Sequence, residues 1–415
     1  MKVKKKHSIC IIGGGVTGIA TALYLLKKGN RNINVSIIEK ENQIGGLLCD
    51  HHSNSEWFFH NCQYLSTTQE WVKLLPQNLL FCFPHYYYSY TDLWNQTSVL
   101  NGFAFPVFDN QLKSLKINGN NSYESLHERL AAYPDEIALG LHEWVAHLGL
   151  DSRKLHHSSA VPLQIARVYP QKYMHDVAVY KEKNLVANEL YGVPRSLRND
   201  SFPLASLPIC GYNRFFERIE SDILNLGGVF FKGAQVIPNK CIDDWKMPTD
   251  LSMQNIDHLI WTASPTALIR KCENEKLNSL YMSMQNIVFQ CSANISYKPF
   301  YIQVYSKSSF ITRIFYYDKK ITVECTANSR PSSTKDECQL ILNRFFKDIQ
   351  IESSGIAYNE KRYSIISCED FRLLNSVTNK YNSDEQGIVM CSPWVEFGRD
   401  AKIDYLLKLI DKRNI

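Results

Sequence analysis

The sequence lacks the features that mark several classes of protein. Its twelve cysteines include no Cys-x-x-Cys pair and are scattered through apolar stretches, which favours a reduced, cytoplasmic setting over a disulfide scaffold. Basic and acidic residues nearly balance, 46 against 41, and the only dense basic run extends from Lys2 to Lys6, so we expect no nucleic-acid partner. The longest apolar run, Ile9 to Leu26, contains regularly spaced glycines and precedes Lys27, so we expect neither a signal peptide nor an integral membrane segment.

The length and composition of the chain predict a large globular protein. The chain has 415 residues, of which 45% are hydrophobic and 12% aromatic, enough to bury a sizeable core in two or three domains. Residues 8–12 form a short Ile-rich run typical of a buried parallel strand, residues 17–28 have helical apolar spacing, and residues 34–39 predict a second strand. The amino-terminal part is therefore predicted to be a βαβ unit.

The turn between this first strand and helix has glycines at Gly13, Gly15 and Gly18. At this spacing the first allows a tight turn, the second lets a pyrophosphate approach the backbone, and the third lets helix and strand pack closely. Glu39 ends the second strand, where its carboxylate can bind a ribose diol. The pattern predicts a dinucleotide site with phosphate at the helix N-terminus, and it does not by itself separate NAD from FAD.

A second glycine turn follows at Gly45 and Gly46, next to Leu47. It permits close backbone approach to the far end of a longer cofactor, which favours FAD. The alternative is a plain turn with no ligand role.

Several segments resemble the amine-oxidase and protoporphyrinogen-oxidase-like flavoproteins and their relative UDP-galactopyranose mutase. The segment from Ile38 to Gly46, including Glu39 and Lys40, resembles their FAD-binding start, and Phe59 to Leu65, with His60, is similar to the segment near the flavin ring. Further resemblances are Val193-Pro194-Arg195, Leu207 to Tyr212, Gln235-Val236 where the backbone meets the adenine, Ile311-Thr312-Arg313-Ile314, and Phe397 to Ala401 with Asp400.

The resemblance implies an α/β protein with a Rossmann-like FAD-binding domain of the glutathione-reductase type, assembled from discontinuous segments. It implies FAD-binding parts at residues 1–70, 201–275 and 366–415, a mostly helical cap at 71–200, and an antiparallel, sheet-based substrate domain at 276–365. The implied cofactor contacts are Gly13, Gly15, Gly18, Glu39, Lys40, Gly45, Gly46, Leu47, Val236 and Asp400, with no metal.

Arg195 and Arg313 are the candidate substrate-facing residues, because a guanidinium fork suits carboxylate or phosphate. For each, the alternative is a structural salt bridge. His60 is the third candidate, with a structural histidine as its alternative. The aromatic run from His85 to Tyr90 predicts a strand that either packs in a sheet, which is favoured, or lines a pocket.

These features predict an FAD-dependent oxidoreductase that acts on a small polar, anionic substrate by hydride transfer to flavin N5. Two alternatives stay open: an isomerase of a nucleotide sugar that uses reduced flavin, as the mutase does, and a flavin-binding protein without catalysis. The expected partner is a small-molecule substrate, and NAD(P)H or another electron donor or acceptor is left open.

Overall fold

The structure is a computed structural model of the chain. It describes residues 7–28, 33–53, 56–59, 63–67, 69–84, 86–93, 96–100, 105–107, 123–170, 174–192, 204–248, 251–278, 280–326, 331–352, 355–384, 388–395 and 398–415.

Strands and helices are numbered here in chain order. The strands are β1 (His7–Ile12), β2 (Ile33–Glu39), β3 (Asp50–Ser53), β4 (Glu56–Phe59), β5 (Leu65–Ser66), β6 (Leu80–Pro84), β7 (Tyr86–Thr91), β8 (Gln96–Leu100), β9 (Phe105–Val107), β10 (Val168–Pro170), β11 (Leu204–Pro208), β12 (Val229–Lys232), β13 (His258–Trp261), β14 (Leu280–Ser292), β15 (Phe300–Tyr305), β16 (Ile311–Tyr317), β17 (Lys320–Thr326), β18 (Gln350–Ile351), β19 (Ile356–Ile365) and β20 (Val389–Cys391). The helices are α1 (Val16–Lys27), α2 (Leu126–Ala131), α3 (Asp135–His147), α4 (Met174–Lys183), α5 (Leu185–Leu190), α6 (Tyr212–Asn225), α7 (Thr266–Leu268), α8 (Pro331–Leu342), α9 (Cys368–Ser383) and α10 (Arg399–Lys412).

A parallel sheet forms the first layer of the molecule, with strand order β12-β2-β1-β13-β20. Side chains of β1 alternate between its two faces. Ile9 and Ile11 pack with α1, α6 and α10, whereas Cys10 and Ile12 pack in a second cluster with α9. Because both faces are covered there, the last four residues of the strand, Ile9 to Ile12, are apolar and buried, as the sequence predicted for a buried parallel strand. All five strands end at the same edge of the sheet, where the glycine turns lie.

A larger mixed sheet has the order β18-β14-β17-β16-β15-β7-β8, with β19 also paired to β14. One face is covered by α8, which packs on Phe300, Ile314 and other residues of an apolar cluster. On the opposite face, Tyr301 and Phe315 belong to the core cluster of the parallel sheet. This sheet therefore has one face toward the dinucleotide fold and one face away from it.

The helical elements α2, α3, α4 and α5 enclose a separate apolar cluster that includes Leu130, Leu141 and Leu190. Apolar residues recur at helical spacing from Glu124 to His147, and the structure divides this stretch at Pro134, which lies just before α3. Proline disfavours helical backbone in the residue before it and has no N–H to donate, so α2 ends and α3 begins around it.

The α/β class is confirmed, while the division into five segments stays a prediction. The structure differs from the expectation of a mostly helical segment at 71–200 in one respect: β6, β7, β8 and β9 precede the helices. Of these, β7 pairs in parallel with β15, so part of that segment completes the mixed sheet. Strand β12 ends at Lys232, because Gly233 turns the chain with a φ of +64° before the Gln235-Val236 segment.

Candidate functional site

The glycine turn after β1 is dictated partly by packing. Gly13 has a φ of +108°, and a Cβ there would lie 2.9 Å from the backbone nitrogen of Ala263 and from Oγ1 of Thr262. A Cβ on Gly18 would collide with the carbonyl oxygen of Gly13. Gly13 and Gly18 are therefore required by the folded chain itself.

Gly15 differs from both of them. Its φ of −68° suits any residue, and the nearest atom to an added Cβ is Cα of Gly46 at 4.0 Å. Gly15 precedes α1, which has no side-chain cap and no acidic residue in its first turn. Its carbonyl accepts from the N–H of Ile19 at 3.0 Å, which is the first hydrogen bond of the helix. The N–H groups before Ile19, in the first turn of α1, therefore lack a partner within the helix. Space beside Gly15 therefore adjoins a helix end that attracts anions.

Glu39 lies at the end of β2, beside this turn. One carboxylate oxygen accepts from the N–H of Gly14 at 2.6 Å and the other from the N–H of Glu41 at 2.9 Å. The side chain is buried, and its backbone carbonyl accepts from the N–H of Ala234. These bonds hold an acidic group at the edge of the sheet next to the helix N-terminus, as a ribose-binding carboxylate requires.

The second glycine turn packs directly on the first. The N–H of Gly45 donates to the carbonyl of Gly14 at 2.8 Å, and Gly45 and Gly46 have φ angles of +111° and +63°. A Cβ on Gly45 would meet the ring of Phe216. The backbones of the two turns thus meet without side chains between them.

The other proposed cofactor residues have mixed environments. Lys40 and Leu47 are exposed. Nζ of Lys40 lies 3.2 Å from Oε1 of Glu41. Val236 is buried in the apolar cluster that includes Ile38 at the end of β2. Their contacts with a cofactor stay predictions.

Asp400 lies in the first turn of α10. Its carboxylate accepts from the indole N–H of Trp71 at 3.0 Å and lies 3.7 Å from Nε of Arg399. Nη2 of Arg399 donates to the carbonyl of Tyr64 at 2.7 Å. Asp400 therefore ties the carboxy-terminal helix to the segments that follow the second glycine turn, and its cofactor contact stays a prediction.

Of the three proposed catalytic residues, His60 and Arg195 lie outside the described residues. Arg313 lies on β16, where Gln303 of β15 and Glu324 of β17 are its direct cross-strand neighbours. Its Nε donates to Oε1 of Gln303 at 3.3 Å and lies 3.7 Å from Oε2 of Glu324. All three side chains are buried, Glu324 completely.

This buried polar group lies between two apolar cores. On the same face of β15, Tyr301 belongs to the core of the dinucleotide fold and Tyr305 to the core of the helical region. Gln303 is between them in the strand. Burial raises the pKa of Tyr305, whose hydroxyl donates to the carbonyl of Gln164 at 2.7 Å. The polar group of Gln303, Arg313 and Glu324 thus lies on the face of the mixed sheet that contacts both the dinucleotide fold and the helical region.

Sequence reasoning did not single out Gln303, Glu324 or Thr262 as site residues. Gln303 is a single amide between aromatic residues at alternate positions of a strand, a signal that could have marked it. Thr262 has no such signal: its hydroxyl donates to the carbonyl of Ile12 at 2.9 Å, beside Gly13 and Gly18.

Over the described residues, no helix is both long enough and apolar enough to cross a bilayer. The same residues contain no group of three or more His, Cys, Asp or Glu side chains arranged to hold a metal ion.

Residues 8–139 match the family model of FAD-dependent oxidoreductases known as DAO. No curated protein matches the sequence significantly. Among solved structures, reduced UDP-galactopyranose mutase shares 12% identity and a TM-score of 0.64, over 98% of this chain and 94% of that one.

Two further structures are similar over nearly their whole length. A protein provisionally assigned as a protoporphyrinogen oxidase from Exiguobacterium sp. 255-15 has 12% identity and a TM-score of 0.62, covering 98% of both chains. A putrescine oxidase variant with redesigned cofactor binding has 13% identity and a TM-score of 0.59, covering 99% of both chains. At these identities the likeness shows the fold.

The matched family depends on FAD, and FAD is the cofactor. The residues fit it. An added side chain at Gly15 would meet no neighbour closer than 4.0 Å, the start of α1 has no side-chain cap, and the Glu39 carboxylate is held beside it by the N–H of Gly14.

Proposed function

We propose that the chain is an FAD-dependent oxidoreductase of the amine-oxidase-like group that acts on a small polar substrate carrying one anionic group. The observation that carries this proposal is Gly15. The packing of the chain tolerates a side chain there, so the glycine is explained by a ligand that must approach the backbone. The second glycine turn, packed on the first, supports a ligand longer than a mononucleotide.

Three features of the chain would hold the cofactor. Glu39 would accept hydrogen bonds from the ribose, the N-terminus of α1 would face the pyrophosphate, and the turn at Gly45 and Gly46 would lie along the same ligand. When bound, FAD supplies an acceptor for a hydride from the substrate at flavin N5.

The substrate side of the proposal rests on the buried group of Gln303, Arg313 and Glu324. Arg313 would orient the anionic end of the substrate, and Gln303 would hold the guanidinium in place through its 3.3 Å bond. The aromatic side chains of Tyr301 and Phe315, fully or almost fully buried on the same face, would exclude water. Low local polarity strengthens each of these polar contacts.

Charge favours the oxidoreductase over a nucleotide-sugar isomerase. Glu324 lies 3.7 Å from Arg313 and offsets its charge, so the pair has little net positive charge for a diphosphate. A substrate with one anionic group suits this pair better. Arg195 would add a second cation if it reaches the same site, and His60 would lie near the flavin, as their motifs imply.

The test begins with the flavin spectrum of the purified protein. We expect a yellow protein that releases FAD, rather than FMN, on heat denaturation. Anaerobic addition of small amines, amino acids and hydroxy acids should bleach the flavin with at least one of them. Conversion of a UDP-sugar only after dithionite reduction would instead support the isomerase.

Two outcomes contradict the proposal at different levels. A protein that binds FAD but is neither bleached by any substrate nor active on UDP-sugars supports a flavin-binding protein without catalysis. A protein that neither contains FAD nor takes it up removes the cofactor as well.

A further inference from the structure

A cavity of about 450 Å³ lies away from the glycine turns, between α8 and the loop that joins β15 to β16. This volume is within the range of small-molecule sites, which runs from about 300 to 1,000 Å³. Its wall includes Tyr90, whose cross-strand neighbour Val304 belongs to the cluster under α8. The cavity is therefore on the face of the mixed sheet opposite to the face that carries Arg313.

The loop on one side of the cavity is held in place by Asp92. The hydroxyls of Ser306 and Ser308 donate to its carboxylate, and the backbone N–H of Lys307 donates to it at 3.0 Å. The carbonyl of Ser309 bonds Nε2 of His147 at 2.9 Å, which ties the loop to α3 as well. This wall is built by internal contacts and does not need a ligand to form.

The other wall is a single stripe of α8 and the turn after it. Glu337, Leu340, Ile341 and Arg344 all line the cavity, at the spacing of three, four and seven residues that places side chains on one helix face. The stripe thus presents a carboxylate, then an apolar stretch, then a guanidinium. At a rise of about 1.5 Å per residue, the two charged positions are roughly 10 Å apart along the axis.

Each charged residue is suited to a ligand of opposite charge. Burial raises the pKa of Glu337, against a hydrogen bond from Ser309, so a cationic partner would relieve a carboxylate that is partly removed from water. Arg344 is exposed, and within the described part of the chain no carboxylate forms an ion pair with it.

We propose that this cavity is a second ligand site for a small zwitterion whose ammonium and carboxylate are separated by a methylene chain, as in an ω-amino acid. The ammonium would bind Glu337, the methylenes would cover Leu340 and Ile341, and the carboxylate would bind Arg344. The order of charges and apolar groups on the stripe matches that of the ligand. The site is independent of the flavin chemistry proposed above.

The test uses isothermal titration calorimetry of the purified full-length protein with the series from 4-aminobutyrate to 8-aminooctanoate. Matched alkanoates and alkylamines of equal length have only one of the two charges. We expect one member of the amino-acid series to bind about fivefold tighter than both of its matched compounds, since an exposed ion pair contributes up to about 1 kcal/mol, which is about that factor.

Variants separate the two ends of the site. Glu337→Gln keeps an acceptor for Ser309 and should weaken binding of the zwitterion about fivefold, and Arg344→Gln should do the same. Arg344→Glu should reverse the preference toward the diamine of equal length, such as 1,6-diaminohexane. Asp336→Asn and Lys347→Gln remove charges from exposed positions that do not line the cavity, and they should leave binding unchanged.

The proposal fails if no ω-amino acid in the series binds more tightly than its alkanoate and alkylamine counterparts. It also fails if the two control variants weaken binding as much as Glu337→Gln and Arg344→Gln do. Circular dichroism spectra of all the variants check that each is folded.

Discussion

The three glycines of the first turn are glycines for different reasons. Gly13 and Gly18 would clash with neighbouring backbone if they had a side chain, so folding alone explains them. Gly15 meets nothing closer than 4.0 Å, so folding does not explain it, and the proposed cofactor contact does. A glycine that ligand binding requires and folding does not is the most informative position in the site.

Gly15→Ala should therefore separate folding from binding. The free energy of unfolding of the apoprotein should stay equal or rise by about 0.4–1 kcal/mol, since alanine restricts the unfolded chain. The added methyl should weaken the binding of FAD by about 1–3 kcal/mol, which is the usual cost of overpacking. This corresponds to a rise in Kd of roughly 5- to 150-fold. Urea unfolding and flavin fluorescence titration measure the two effects.

Gly149→Ala is the matched control for that variant. Gly149 has a φ of +74° with open space around it, far along the chain from the turn. Alanine there should lower stability by about 1–2 kcal/mol through backbone strain and leave the affinity for FAD unchanged. If Gly15→Ala binds FAD as the wild type does, the ligand explanation of Gly15 is wrong.

Arg313 requires a conservative test because Glu324 is completely buried beside it. Arg313→Ala leaves that carboxylate without this cation and should cost about 3–5 kcal/mol of stability, whatever the role of Arg313. Arg313→Lys keeps the positive charge but loses the planar guanidinium, which can donate two hydrogen bonds to one anionic group. It should stay folded and raise the KM of the substrate that bleaches the flavin about tenfold, with a smaller effect on kcat. An unchanged KM in a folded Arg313→Lys protein would remove Arg313 from the substrate site.

At the scale of elements, His156 joins the helical region to α9. Its ring stacks on Phe371 at 3.5 Å between centroids, and its backbone N–H donates to the carbonyl of Ile366 at 3.0 Å. Its Nδ1 bonds the hydroxyl of Ser158 at 2.7 Å and caps the turn that follows. Burial, reinforced by His157 and Arg372 and opposed by Glu124, lowers the pKa of His156 from 6.5 to about 4.

This lowered pKa predicts a loss of stability in mild acid. Between about pH 6.5 and pH 4 the unfolded chain binds a proton at His156 that the folded chain does not, so stability falls as the pH falls through this window and is fully present above it. His156→Asn keeps a capping acceptor and removes the titration. Urea unfolding at pH 7.0, 5.5 and 4.5 should show a steeper loss for the wild type than for His156→Asn. Parallel losses would show that other groups account for the acid sensitivity.

At the scale of the whole molecule, the apolar cores meet at the mixed sheet. Tyr301 and Phe315 extend the core of the dinucleotide fold, Tyr305 belongs to the helical core, and Phe300 packs under α8. The cofactor site and the polar group of Arg313 thus depend on the mutual placement of separate chain segments.

Binding of FAD should stabilise this assembly by mass action. At a free concentration one hundred times its Kd, a ligand that binds only the folded state adds about 2.7 kcal/mol. The Tm measured by calorimetry should rise steadily with the logarithm of FAD concentration. The Gly15→Ala protein should show a much smaller rise at the same concentrations, and a wild-type Tm that does not respond to FAD would contradict the cofactor site.

Local elements and the cofactor class were predictable from the sequence because they depend on short-range patterns. The apolar run of β1, the glycine spacing, Glu39 at the end of β2 and the second glycine turn all lie within the first 46 residues. The boundaries of β1, α1 and β2 agree with the prediction to within one residue. The turn chemistry of glycine and the period of buried strands are properties of neighbouring residues.

Tertiary structure alone decided the surroundings of Arg313 and the position of the second cavity. Gln303 and Glu324 are ten and eleven residues from Arg313, and only the register of three antiparallel strands brings them against its guanidinium. Likewise, Tyr90 and Glu337 share one cavity because β7 pairs with β15 and α8 packs over that face. The sequence alone therefore predicted a dinucleotide site and favoured FAD, since the glycine turns depend on local backbone. The charge that a substrate meets depends on long-range pairing, which local patterns do not encode.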